Sequence, residues 1–88
     1  MANNLQSTEF SVHLMKIDGS EEIICEHVSS HEAAREFWRC TNNVSARTGI
    51  VEQAAIKNND DNHIAILWRH GRGYTYNGKD FTATPVIE

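Results

Sequence analysis

Long apolar runs are missing from this sequence. No stretch approaches the roughly 18 consecutive apolar residues of a membrane span, so no membrane partner is expected. Cysteine is scarce, with Cys25 and Cys40 the only two. Met1 to Thr8 have neither the basic start nor the apolar stretch of a secretion signal. The expectation is a cytoplasmic setting in which both thiols stay reduced, buried in the core and free of metal. The glycosylation sequon Asn43-Val44-Ser45 is then a chance match. Internal repeats and low-complexity segments are also lacking.

Length is short as well. A chain of 88 residues builds one domain with one modest core, and a deep, water-excluding active site is hard to form from so little material. Residues 1–8 read as a disordered tail and 9–88 as a single domain. The net charge of −4 is mild, yet it is unevenly spread. Asp18 to Glu36 holds six acids against Arg35 alone, whereas Ile66 to Lys79 holds Arg69, Arg72 and Lys79 with no acid. Such asymmetry is the strongest compositional hint of an electrostatic partner.

What is present is a patterned 40% of hydrophobic residues, ordinary for a globular domain. Phe10 to Ile17 alternates like a half-buried strand. Asp18-Gly19 follows, a dipeptide suited to a two-residue hairpin. That turn sets Lys16 opposite Glu21, Leu14 opposite Ile23, Val12 opposite Cys25 and Phe10 opposite His27. Ser11, His13 and Met15 then share the other face with Glu22, Ile24 and Glu26. Ser29-Ser30-His31-Glu32 is a capping box, and the helix it starts is expected to run from Ser30 to about Ala46. Ala33, Phe37, Cys40 and Val44 form its apolar stripe. Ile50 to Lys57 reads as a strand, and His63 to Trp68, the most apolar segment, as the central one. Gly71-Arg72-Gly73 turns into Tyr74-Thr75-Tyr76, and Asn77-Gly78 marks a further hairpin returning through Phe81 to Thr84. The fold class is α+β: one antiparallel five- or six-stranded sheet with a single helix packed on one face, in the order β-β-α-β-β-β-β.

No catalytic constellation emerges, and no cofactor is expected. Cys25, His27, His31 and Cys40 are zinc-type ligands, but His31 and Cys40 lie about 180° apart around a helix and no spaced cysteine pair is present. Neither thiol sits at a helix N-terminus, where its pKa would fall. Asn58 to Asn62 lacks the spacing and glycine of a calcium loop. Gly71-Arg72-Gly73 lacks the helix that would make it a phosphate loop. The segment 68–79 does interleave aromatics with cations, in the manner of surfaces that stack bases and meet phosphates. Trp38 lies about 140° from Ala33 around the helix, on the flank of the stripe. Candidate binding residues are therefore Trp38, Trp68, Arg69, Arg72, Tyr74, Tyr76 and Lys79. The functional expectation is a non-enzymatic module that contacts protein and associates with itself, because one short helix looks too small to cover the sheet. The alternative is a single-stranded nucleic-acid or phosphate binder using the 68–79 hairpin. A third reading, a small enzyme with Cys40 or a histidine as reactive group, has no supporting constellation.

Overall fold

The computed structural model describes residues 9–60 and 63–76. Five strands form one antiparallel sheet: β1 (Phe10–Lys16), β2 (Glu21–Val28), β3 (Val51–Asn58), β4 (Ile64–Arg69) and β5 (Gly73–Tyr76). Helices α1 (Ser30–Thr41) and α2 (Val44–Arg47) lie between β2 and β3. The α+β class and the order β-β-α-β-β-β thus stand as expected. The tail 1–8, the Asn77-Gly78 turn, the strand after it and Lys79 lie outside the described residues.

The spatial order is β2-β1-β3-β4-β5, so β3 and not β4 is central. After the helices the chain returns to the free side of β1, and the β3-β4-β5 meander extends outward from there. Apolar density misjudged this because β3 carries Ala54 and Ala55, which add little hydropathy yet are buried.

The β1–β2 hairpin also departs from the expected register. Its loop has three residues: the Gly19 amide donates to the Lys16 carbonyl (2.8 Å) and the Lys16 amide to the Ser20 carbonyl (2.8 Å). Gly19 sits at φ +90°, the left-handed position that closes such a loop. Asp18 accepts from the Ser20 amide and hydroxyl at 2.9 and 2.6 Å, and these bonds lower its carboxyl pKa. One residue more in the loop slips the register by one and flips the faces. Met15 opposes Glu21, Leu14 opposes Glu22 and His13 opposes Ile23. A bulge then restores Val12 opposite Cys25, as expected, and a second sets Phe10 opposite Val28. His27, in that second bulge, has a φ of 57°. Its amide donates to Asn59 Oδ1 (3.0 Å) and its ring meets Glu9 (2.9 Å), while the Asn59 side chain donates to the buried Ser11 hydroxyl.

Helix α1 begins as the capping box predicts, with the Ser29 hydroxyl accepting from the Glu32 amide at 3.2 Å. It ends earlier than expected. The Asn42 side chain donates to the Trp38 carbonyl (2.7 Å), and Asn43 caps a new turn by accepting from the Ala46 amide (2.9 Å). Asn at both positions offers the backbone local alternatives to continued helix. The break turns Val44 outward, 70% exposed, and puts Ala46 in the core instead.

One core fills the space between α1 and the sheet. Phe37, Val12, Ile56 and Ile66 are fully covered. Phe10, Leu14 and Trp68 are also buried, none more than 8% exposed. The expected shortage of helix does not arise on this face. Small Ala33 and Ala34 let α1 sit close, α2 contributes Ala46, and Ile24, Cys25 and Val28 of β2 pack against the rim. Cys40 is buried, but Cys25 is only half-buried, which corrects the expectation that both would be hidden. Burial raises the pKa of both free thiols, and the nearby Glu36 carboxylate adds to it. No helix among the described residues is long and apolar enough to cross a membrane.

Candidate interaction surface

Strand alternation separates Trp68 and Tyr74 from Arg69. Trp68 pairs with Tyr74 and both turn toward α1, while Arg69 points to the opposite face. Trp38 lies over Tyr74 with ring centroids 4.6 Å apart, and Phe37 meets both rings edge-on or tilted at 5.6 and 5.9 Å. The Tyr74 hydroxyl sits 3.1 Å from Thr41 Oγ1. Trp38 thus caps the sheet edge, and these rings hold α1 to β5. Tyr76 ends β5 opposite Ile66. Arg69 and Arg72 stay exposed beside a polar hollow of about 270 Å³, which Glu52, Gln53 and His70 also line. His70 is fixed there by donating from Nδ1 to the Ala46 carbonyl at 2.9 Å.

Of the large apolar side chains exposed among the described residues, Met15 and Ile23 lie on the sheet face away from α1, whereas Ile17, Val44 and Ile50 lie outside its strands. Two rows cross this face through the pairing register. In one, Glu21 pairs with Met15, Met15 with Gln53, and Gln53 with Arg69. In the other, Ile23 pairs with His13, His13 with Ala55, and Ala55 with Leu67. Ile23 is 50% exposed and Met15 38%. Ala55 has no side chain beyond Cβ, so the surface dips between its larger neighbours. The resulting hollow of about 150 Å³ is lined by His13, Met15, Gln53, Ile64 and Leu67 among others. His13 Nδ1 lies 3.3 Å from Glu21 Oε2, tying the first strand to the edge.

Sequence reasoning had placed Ser11, His13 and Met15 on this face but missed Glu21, Ile23, Ala55 and Leu67. The first two were lost with the hairpin register. Leu67 was legible, since it alternates with the core residues Ile66 and Trp68. Among the described residues no group of three or more His, Cys, Asp or Glu side chains is placed to hold a metal ion. No family model, curated protein or solved structure matches this chain.

Proposed function

We propose that this protein is a non-enzymatic interaction module that works through the uncovered sheet face and associates with a second copy of itself. The observation that supports this is the row Ile23–His13–Ala55–Leu67, lying across the sheet on the side that no helix among the described residues covers. Half-buried antiparallel sheets normally present polar residues to water; here every second position on four adjacent strands contributes to a mixed patch. Sedimentation velocity between about 5 and 500 μM tests it. A mass rising from the 10.0 kDa monomer toward twice that value is expected. A constant monomer mass across the range refutes it.

A second reading, contact with single-stranded nucleic acid or another phosphate polymer, draws on Arg69 and Arg72 meeting at one polar hollow. Trp68 and Tyr74 turn toward the helix, so neither offers its ring to a base in this reading. Fluorescence anisotropy with an oligonucleotide at low salt decides it. Arg72→Ala should weaken binding and flatten the salt dependence, and no binding by the native chain removes the reading.

A further inference from the structure

We infer that two copies pack sheet face on sheet face about a two-fold axis that runs parallel to the strands and passes between β1 and β3. This rests on the self-association proposed above and specifies its geometry. A two-fold along the strands reverses the order of strands across the face but keeps their height. β1 therefore covers the partner's β3, and β2 covers the partner's β4.

The face is complementary to itself under this operation and no neighbouring one. Glu21 on β2 comes over Arg69 on β4 of the other copy, and the same pair forms again across the axis. Ile23 comes over Leu67. His13 comes over Ala55, so each hollow receives an imidazole. Moving the axis by half a strand spacing, onto β1, sets Ile23 against Ala55 and leaves Glu21 over Gln53, losing both the ion pairs and the fit of large against small. Glu21 and Arg69 lie one and a half strand spacings, about 7 Å, from the axis. Sheets stack with a twist of about 30°, which displaces them by about 3–4 Å, within reach of an arginine side chain.

Other ways of pairing are less favoured. The β2 edge carries two bulges and exposed Glu22, Glu26 and His27, devices that discourage strand addition. Four strands by about five residues give a footprint on the order of 300–400 Å² per copy, below the roughly 800 Å² per partner of standard stable interfaces. The dimer is accordingly weak, with a Kd on the order of 10–100 μM, and salt-sensitive.

Charge reversal tests the axis. Glu21→Arg and Arg69→Glu should each raise the dimer Kd at least about tenfold, because each places like charges in two symmetric pairs. Mixed in equal amounts, the two variants should associate with each other to within about threefold of the native Kd, since each arginine then meets a glutamate. Circular dichroism and melting of each variant verify that the fold is kept, both sites being exposed. Ala55→Glu, which fills the hollow with a charge, should abolish association. A native dimer indifferent to all three changes overturns this geometry while leaving self-association standing. A native chain that stays monomeric overturns both.

Discussion

Trp68 and Leu67 are neighbours in β4 with opposite fates, and replacing each by alanine separates core from surface. Trp68 is 8% exposed and packs in the core under α1, with His70 edge-on at 6.2 Å. Truncating a buried Trp removes its transfer energy and leaves a cavity, about 3–5 kcal/mol together. A chain of 88 residues has a total stability of about 4–13 kcal/mol, so Trp68→Ala removes a large part of it. Leu67 is half-buried on the far face, and its truncation forfeits about 1 kcal/mol. Urea melts followed by circular dichroism, at concentrations low enough to keep the monomer, measure both. With slopes of about 1–1.5 kcal/mol/M for so small a domain, the Trp68→Ala midpoint falls by about 2–5 M and that of Leu67→Ala by about 0.7–1 M. Association should respond in reverse, Leu67→Ala raising the dimer Kd about three- to tenfold in a chain that remains folded. A Trp68→Ala protein nearly as stable as the native one, or a Leu67→Ala protein much less stable, would mean that the two faces of β4 have been exchanged.

Gly19→Ala should cost about 1 kcal/mol in the same melts; nothing lies within 4 Å of an added Cβ, so the penalty is that of the left-handed conformation alone. Asn59→Ala removes the acceptor of the His27 amide and the donor to Ser11, and a loss of about 1–2 kcal/mol is expected, with faster hydrogen exchange at His27. A thiol reagent should modify half-buried Cys25 well before buried Cys40, and equal rates would contradict the packing. The folded thiols titrate above their ordinary value of 9.0, chiefly through burial. The unfolded chain therefore releases those protons first, and the contribution to stability is full below that value and declines as pH rises past it. Cys40→Ser should flatten the decline, and an unchanged slope would contradict the assigned cause.

Much of the fold was legible because local signals agreed with one another. Ser29 with Glu32 marked the start of α1, alternation marked β1, apolar density marked β4, and glycine marked the turns after β1 and β4. The register errors have one origin. Asp18-Gly19 fits both a two-residue loop and the last two positions of a three-residue loop, and only the longer one lets Ile17 donate its amide to the Ile50 carbonyl, 2.9 Å away. That bond joins the hairpin end to the residue before β3, a partner 33 positions along the chain that local reasoning does not see. The bulges of β2 are similarly non-local, since the one at His27 is held by Asn59 from the far end of β3. Register was therefore decided by tertiary hydrogen bonds, and with it which of Ile23 and Ile24 faced the helix.

The same dependence governs how charge along a chain becomes charge in space. An acidic first half and a basic last third suggest two lobes of opposite sign, and two such lobes would attract head to tail. Strand order changes the consequence. Because β2 lies at one side of β1 and β4 beyond β3 on the other, Glu21 and Arg69 end up on one face, at equal height, on opposite sides of its midline. Head-to-tail attraction between lobes generates open chains of copies, whereas a face that carries both signs symmetrically about its midline closes on itself as a pair. The proposed association should accordingly stop at the dimer. Sedimentation at the highest attainable concentration checks this: a plateau at two copies is expected, and continued growth in mass would mean that the lobes, and not the face, direct the contact.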